Sequence, residues 1–221
     1  MTVSIRRLAI PEFSVNCPDF VDIYIEAMGY DPIIRHSRIN TWRRETFQPG
    51  FTAVCALEDG EILGVAYGFL GSPDHWWHLQ LRRGIHQKGG PSESEFELLR
   101  NYFEVAEIHV RVGNQGRGIG RALLGELLRN APAGNAVLST PEVPQENNRA
   151  FGLYRSMGFY DVLRNFHFTG DRRPFAVLAA RLPLASPAHS HESPETPAPP
   201  GATADQLGRH RLPLSHTHPE A

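Results

Sequence analysis

The stretch 115–124, QGRGIGRALL, is the most informative part of the sequence and decides the fold that we expect. Its glycines, at positions 116, 118 and 120, lie between a predicted strand and a predicted helix. The helix has one apolar face, which is formed by Ile119, Ala122, Leu123 and Leu127. Glycines in this position expose backbone N–H groups at the positive end of a helix, which suits a pyrophosphate. The stretch therefore predicts a phosphate-binding loop.

Other interpretations of this loop make different demands on its residues. A nucleotide-triphosphate loop needs a lysine and a hydroxyl residue after its last glycine, and both are missing. A dinucleotide-binding loop is favoured by Glu142, which lies near the end of the next strand, where a ribose-binding acid is expected. The glycine spacing does not match that class, and a hairpin rather than a βαβ unit precedes the loop. A plain tight turn would explain one or two of the glycines.

The rest of the chain predicts a mixed α/β sheet, because strands and helices alternate late while hairpins flank them. Asp59-Gly60 between two apolar runs, 51–57 and 61–70, is a strong hairpin signal. Further strands are expected at 4–10, 103–112, 135–140, 159–168 and 175–182, and helices at 18–29, 32–47, 96–102, 120–130 and 147–157. The segment 71–95 has no sustained periodicity, so we expect a long loop there.

The length and composition predict one folded domain and a tail. The 221 residues suffice for a single domain with a sizeable core. From residue 185 onward the chain is rich in Pro, Ala, Ser and His, and it buries too little surface to offset its ordering entropy. We expect a domain at 1–184 and a disordered tail at 185–221. Its His-x-His pairs lack the preformed geometry of a metal site, so no metal is expected.

Charge and cysteine content indicate which classes of partner and which cellular compartment to expect. The formal net charge of −2 provides no positive field for binding nucleic acid or an anionic membrane. Cys17 and Cys55 are too few for a disulfide framework and lack zinc-site spacing. No stretch approaches the roughly 20 apolar residues that span a bilayer, and the N-terminus has no apolar signal region. We therefore expect a cytoplasmic protein with a small-molecule or peptide partner.

Two motifs resemble those of the GNAT (GCN5-related) N-acetyltransferase superfamily. Residues 115–120 fit its acetyl-CoA loop, Q/R-x-x-G-x-G/A, and Val110 has the family's place in the strand before it. Val112 stands where proline is common in the family. The second pattern, N-x-x-A-x-x-L/F-Y-x-x-x-G-F, is matched from Asn147 to Phe159. The resemblance covers roughly residues 3–184 and is strong over 105–162.

This resemblance implies a fold and a co-substrate. The fold would be an acyl-CoA N-acyltransferase fold of the α/β (α+β) class, with a mixed, mostly antiparallel sheet flanked by helices. The sheet would part between the strand before the glycine loop and the strand at 135–140, and acetyl-CoA would enter the split.

The resemblance also implies which residues bind the coenzyme. The pyrophosphate would rest on loop N–H groups with two arginines available to its phosphates, and pantetheine would pair with the preceding strand, whose N–H near Val110 would polarise the thioester carbonyl. The residues concerned are Gln115, Gly116, Arg117, Gly118, Ile119, Gly120 and Arg121 in the loop, Ile108, His109 and Val110 in the strand, and Asn147 in the second motif. For the arginines a solvated helix start is the alternative, and for Asn147 a helix N-cap.

Catalytic roles follow from the same resemblance and from acid–base chemistry. Tyr154 would protonate the departing thiolate, unless it is simply a core aromatic. The acceptor amine is mostly protonated at neutral pH and therefore needs a base. Strand alternation puts Glu107 and His109 on one face and Glu104 on the other, so we expect Glu107 as the first choice and Glu104 as the next.

We therefore expect an N-acetyltransferase that moves an acetyl group from acetyl-CoA to a primary amine by direct attack on the thioester. Trp76, Trp77 and His78 either line the acceptor site through cation–π contacts or anchor the loop by packing. A monomer or a homodimer is expected. The alternative function is a non-catalytic acyl-CoA sensor, because the coenzyme loop by itself concerns only binding. Tyr154 and a strand carboxylate favour catalysis.

Overall fold

The computed structural model describes residues 2–184, so the tail predicted at 185–221 lies outside the described residues. The described strands are β1 (Ser4–Leu8), β2 (Thr52–Glu58), β3 (Glu61–Leu70), β4 (Tyr102–Val110), β5 (Asn135–Pro141), β6 (Tyr160–Phe166) and β7 (Phe175–Arg181). The helices are α1 (Ile10–Met28), α2 (Arg35–Glu45), α3 (Trp76–Gln87), α4 (Glu93–Arg100), α5 (Ile119–Leu128) and α6 (Arg149–Ser156). This mixed α/β composition confirms the predicted fold class.

The strands form a seven-stranded sheet in the order β1-β2-β3-β4-β5-β7-β6. Every neighbouring pair is antiparallel except β4 and β5, which run parallel. The predicted hairpin joins β2 to β3, and both of its turn residues have positive φ, 51° at Asp59 and 86° at Gly60. The mostly antiparallel sheet is thus as expected.

Three apolar clusters hold the helices against the sheet. The first cluster covers one face and includes α5 and α6. On the opposite face, the second cluster packs α1 and α2 onto β2 and β3, and the third packs α3 and α4 against β5, β6 and β7. β2 illustrates the division, since Val54 belongs to the first cluster and Cys55 to the second. Two separate clusters therefore share one face of the sheet.

The long loop predicted at 71–95 is wrong, because α3 and the start of α4 occupy much of it. Trp77, Leu81 and Ile85 recur at intervals of four and are buried in the third cluster. Gly84, near the helix end, lies so close to β6 that an added Cβ would sit 2.3 Å from Leu163. The spacing of Trp77, Leu81 and Ile85 is that of an amphipathic helix, so the sequence carried a signal for α3.

The helix predicted at 18–29 also begins earlier than expected, at Ile10. Pro11 stands in its first turn, where a missing N–H costs nothing, and Pro18 lies inside the helix. Phe13 and Cys17 are fully buried in the second cluster, and their packing favours the longer helix.

β4 contains a β-bulge that changes the direction of its side chains. Tyr67 pairs with Glu107 but the next residue, Gly68, pairs with Val105, which leaves Ala106 as the extra residue. A Cβ at Gly68 would lie 2.1 Å from the carbonyl oxygen of Glu104, so only glycine fits this close approach.

The bulge overturns the prediction that Glu104 and Glu107 point to opposite faces. Val105 and Ile108 both pack against the first cluster, although strict alternation would separate them. Glu104 and Glu107, which precede them, therefore both face the side of the second and third clusters. The three polar residues of β4, which are Glu104, Glu107 and His109, thus lie on one face.

No helix in the described part of the chain is both long and apolar enough to cross a membrane.

Candidate active site

The sheet opens between its two parallel strands. β4 and β5 pair only at Tyr102–Asn135, Phe103–Ala136 and Glu104–Val137, and no further pairs form beyond Glu104. The rest of β4, including Ile108–Val110, still pairs with β3 on its other side. The backbone edge of β4 that faces the opening is therefore available to a ligand that makes strand-like hydrogen bonds.

The glycine loop begins at the end of β4. Gln115 turns back and its side-chain amide donates a 3.2 Å hydrogen bond to the Val110 carbonyl, which ties the loop to the strand. Gly116 and Gly118 have φ of 83° and 80°, a backbone conformation that residues other than glycine rarely adopt. Gly118 is the N-cap of α5, so the first N–H groups of that helix have no intrahelical partner and point toward the loop. This is an anion-binding geometry.

The two arginines predicted for the phosphates already have partners. Arg117 donates to both carboxylate oxygens of Glu58, at 2.6 and 3.0 Å, and to the side chain of Asn114. Arg121 donates to the hydroxyl of Ser156, on α6. Both side chains brace the loop against neighbouring elements, so a phosphate would have to compete with these contacts.

Sequence reasoning missed Arg149, at the first position of α6. Its guanidinium carbon lies 3.7 Å from where a Cβ on Gly116 would be, and the side chain thus covers the glycine loop. The signal was present, because Arg149 lies within the second motif, two residues after Asn147.

The N-cap of α6 is Asn148 and not Asn147, for which this role was considered. The Asn148 side chain accepts a 2.8 Å hydrogen bond from the Phe151 N–H and caps α6. Asn147 is exposed and ends a short 3₁₀ turn at 144–146. Its side chain is thus free of the capping role.

Three glutamates form a carboxylate cluster on the face shared by the second and third clusters: Glu45 at the end of α2, and Glu104 and Glu107 on β4. The pKa of Glu45 is raised to about 7, mainly by burial and also by the charges of Glu107 and Glu104, against the opposing effect of a hydrogen bond from Tyr67. Among the described residues, none of the three pairs with a lysine or arginine. Sequence reasoning missed Glu45 because helix and strand are far apart in the chain.

Glu104 is the most deeply buried member of the carboxylate cluster. Its residue exposure is 5%, and burial raises its pKa, while the nearby His75 lowers it. His75 Nδ1 lies 3.7 Å from Glu104 Oε2. His75, which was not among the predicted site residues, is the N-cap of α3.

Glu107 has a different partner. His109 Nε2 lies 2.6 Å from Glu107 Oε2, and the His109 ring packs 5.0 Å from Tyr24 and 6.4 Å from Trp42. The side chain of His109 is therefore committed to the second cluster.

Tyr154 lies on α6 and is 6% exposed, with its ring 5.8 Å from that of Phe159. Burial raises its pKa well above the ordinary value, and the charge of Glu107 raises it further. The phenol is therefore protonated at neutral pH, as a proton donor must be. Tyr154 packs in the first cluster, with α5 and α6.

Two of the three residues considered for the acceptor site, Trp77 and His78, are buried. Trp77 is buried in the third cluster, and His78 Nδ1 is 3.1 Å from the Tyr102 hydroxyl. Trp76 is half-exposed and packs against Phe168. Trp77 and His78 are packing anchors, which settles that alternative for them.

A sheet that opens beside an anion-binding glycine loop is the architecture of an acyltransferase domain. The model of the acetyltransferase (GNAT) family matches residues 17–159, and the chain belongs to this family. This confirms the resemblance identified in the sequence.

Individual relatives agree with this assignment. A GCN5-like protein acetyltransferase of Mycobacterium tuberculosis is 37% identical over 188 residues, which cover 75% of this chain and 91% of the relative. An N-acetyltransferase structure from Staphylococcus aureus has a TM-score of 0.55 at 18% identity, and the match covers 82% of this chain and 99% of that one. The yncA structure of Salmonella typhimurium, solved with its cofactor acetyl-CoA, has a TM-score of 0.53 at 17% identity and coverages of 82% and 95%. The two structures establish the fold.

Proposed function

We propose that this protein transfers an acetyl group from acetyl-CoA to a primary amine of a protein or peptide. The observation that carries the proposal is the opening of the sheet beside the glycine loop, which leaves one backbone edge of β4 without a strand partner. The family membership supports acetyl transfer, and the solved structure with acetyl-CoA supports that co-substrate. The 37% identical relative is a protein acetyltransferase, which supports a protein amine as acceptor.

The coenzyme would lie across the opening in the sheet. Its pyrophosphate would accept hydrogen bonds from the loop N–H groups at 116–120, and Arg149 above the loop would add positive charge. Its pantetheine would continue the sheet at Ile108–Val110, where β5 has diverged. Asn147, exposed beside the cap of α6, would contact the coenzyme from the other side.

The acetyl-CoA carbonyl would be attacked directly by the amine nitrogen. A carboxylate on β4 first takes one proton from the ammonium group of the acceptor. A new N–C bond then forms and the C–S bond breaks, while Tyr154 gives its proton to the thiolate and is reprotonated by the second proton that leaves the nitrogen. Glu107 and Glu104 both face the side where the acceptor would enter. Backbone N–H groups near Val110 would stabilise the developing oxyanion.

The first experiment measures free thiol release from acetyl-CoA with a panel of acceptors. The panel contains an N-terminally blocked peptide with one lysine, a lysine-free peptide with a free N-terminus, spermidine and kanamycin. We expect release with one of the peptides. Tight acetyl-CoA binding without release across the panel would contradict the proposal and favour a sensor.

The second experiment tests the role of Tyr154. Tyr154→Phe should lower kcat by about 100-fold, within the range of general acid catalysis, with coenzyme affinity nearly unchanged. The matched control is Tyr160→Phe, because Tyr160 is exposed on β6. Equal kcat values for Tyr154→Phe and the wild type would remove Tyr154 from the mechanism.

A further inference from the structure

Two buried polar atoms without hydrogen-bond partners face each other beside the carboxylate cluster. Within residues 2–184, four buried side-chain atoms lack a partner: Trp42 Nε1, His75 Nδ1, Arg83 Nε and Glu104 Oε2. His75 Nδ1 and Glu104 Oε2 are 3.7 Å apart, slightly beyond hydrogen-bond distance. Buried polar groups without partners are rare in folded proteins, and two in one contact call for a functional explanation.

Glu104 is the most buried of the three glutamates in the carboxylate cluster. Its side chain is 7% exposed, and the only ion pair it forms among the described residues is with His75. By contrast, the largely buried carboxylate of Glu142 pairs with Arg164 at 2.7 Å. A buried carboxylate without a fixed cation can gain and lose a proton more readily than one held by arginine.

His75 connects this carboxylate to solvent. Its side chain is 26% exposed although its Nδ1 is buried, so the ring extends from Glu104 to the surface. As the N-cap residue of α3, it makes no capping hydrogen bond with its side chain. Its ring packs edge-on against Phe69, at 5.4 Å between centroids. The imidazole is therefore held in place without having its nitrogens occupied.

We propose that Glu104 and His75 form the proton exit of the acetyl-transfer site. This inference rests on the proposed function and assigns the base that the sequence left open between two glutamates. Glu104 receives the proton of the attacking amine, and His75 carries it from the buried carboxylate to water. Glu107, already held by His109 at 2.6 Å, contributes negative charge that attracts the ammonium form of the acceptor.

The proton balance of the step is closed. The acceptor enters as R-NH₃⁺, and Glu104 takes one proton to give the neutral amine that attacks the thioester. Glu104 passes this proton to Nδ1 of His75, and His75 releases a proton from its exposed side to solvent. A second proton leaves the nitrogen as the amide forms, while Tyr154 donates its own proton to the thiolate. Tyr154 is then reprotonated by the proton from nitrogen.

Several charged groups set the pH at which this exit works. His75 interacts with Glu104 on β4 and with Glu45 on α2, and both carboxylates raise its pKa. Glu104 interacts in turn with His75 and with Glu107 on its own strand. Besides burial, the charge of His75 lowers the pKa of His78 on α3. Burial and the charge of Glu104 raise the pKa of Tyr102.

The test compares His75→Ala, His75→Gln and Glu104→Gln with His86→Ala, an exposed histidine at the end of α3. The assay is thiol release from acetyl-CoA with the peptide of the panel that the wild type uses fastest. His75→Ala should lower kcat/KM at neutral pH by about 10-fold or more, and Glu104→Gln by about 100-fold. Because His75 lowers the pKa of Glu104, the rising limb of the pH profile should move to higher pH in His75→Ala.

Chemical rescue separates a proton relay from a structural role. Added imidazole should restore part of the rate of His75→Ala, because the ring site opens to solvent, but it should not rescue Glu104→Gln. His86→Ala should match the wild type. A wild-type pH profile in both His75 variants, or a lowered rate that imidazole does not change, would overturn the relay.

A titration without acceptor distinguishes failure of the relay from failure of the proposed function. The imidazole of His75 is followed by nuclear magnetic resonance in the free protein and in Glu104→Gln, where its pKa should fall. An unchanged pKa would overturn the coupling. Absence of thiol release by the wild type with every acceptor would instead overturn the proposed function, whatever the titration shows.

Discussion

The Tyr67 hydroxyl donates a 2.6 Å hydrogen bond to the carboxylate of Glu45 and joins the end of α2 to β3. Tyr67 pairs across the sheet with Glu107, so this bond brings the helix carboxylate to the strand carboxylate. Burial raises the pKa of Glu45 to about 7, and the bond from Tyr67 opposes that rise. Glu45 therefore changes charge near neutral pH. It lies next to the face of β4 where the acceptor would enter.

Tyr67→Phe should raise the pKa of Glu45 above about 7, because the variant removes the donor that stabilises the carboxylate. More Glu45 would then be protonated at neutral pH. The measurement is a carbon-13 titration of the Glu45 carboxyl in wild type and variant. Tyr30→Phe is the control, since the Tyr30 hydroxyl accepts from Arg173 and touches no carboxylate of the cluster. A lower pKa in Tyr67→Phe would contradict this account.

Gly68→Ala should destabilise the protein strongly, because the new Cβ would lie 2.1 Å from the Glu104 carbonyl and 2.4 Å from the Phe103 ring. Overpacking typically costs about 1–3 kcal/mol in the free energy of unfolding, and we expect the upper end of this range because the clash is with backbone. Thiol release should fall as well, since the bulge orients both strand glutamates. Urea unfolding gives the first quantity and the acetyl-transfer assay the second.

Gly125→Ala is the matched control for that substitution. Gly125 lies inside α5, and an added Cβ would meet nothing within 4 Å. Glycine in a helix interior costs about 1 kcal/mol relative to alanine, so this variant should be slightly more stable than the wild type. Destabilisation of both variants by a similar amount would show that the bulge has no special requirement for glycine.

The sequence predicted the glycine loop and the hairpin because each depends on residues adjacent in the chain, whereas the opening of the sheet was expected from the family resemblance. Positive φ at Gly116 and Gly118 and an antiparallel pair around Asp59-Gly60 follow from local chemistry. The face to which the Glu104 side chain points could not be predicted from the sequence, because the bulge arises from a contact between two strands. One extra residue at Ala106 reverses every later side chain of β4.

The site residues that the sequence did not predict have the same origin. Glu45 and His75 approach β4 from α2 and from the start of α3, and no periodicity indicates that approach. α3 and Arg149 are different, because both left a local signal in the sequence. The buried positions of α3 recur at the helical interval of four, and Arg149 lies within a quoted motif and could have been named from its position.

Arg149→Ala should weaken coenzyme A binding by roughly 10- to 100-fold, which corresponds to the loss of a charge-assisted hydrogen bond of about 1.5–3 kcal/mol. Arg117→Ala should weaken it less, because the Arg117 guanidinium is held by Glu58 at 2.6 and 3.0 Å. Calorimetry with coenzyme A and with dephospho-coenzyme A measures both, and the same loss with both ligands indicates a pyrophosphate contact. A larger loss for Arg117→Ala would reverse the assignment.

Glu142→Gln should reduce stability at neutral pH and have little effect in acid. Arg164 donates to both oxygens of Glu142, at 2.7 and 2.8 Å, and the Asn165 N–H donates at 2.9 Å. These donors lower the pKa of Glu142 in the folded protein below its ordinary value. The ionised carboxylate therefore stabilises the fold above the unfolded pKa of about 4.3, and this contribution is lost as pH falls through the folded pKa.

The measurement for Glu142→Gln is urea unfolding between pH 3 and pH 8. The difference from the wild type should be about 1–2 kcal/mol at pH 7 and should shrink below about pH 4. Glu61→Gln is the control, because Glu61 is 66% exposed and lies 3.7 Å from Arg111, too far for a strong pair. That variant should follow the wild type at every pH. A Glu142→Gln difference that persists unchanged to pH 3 would mean that Arg164 and Asn165 bind the neutral side chain equally well.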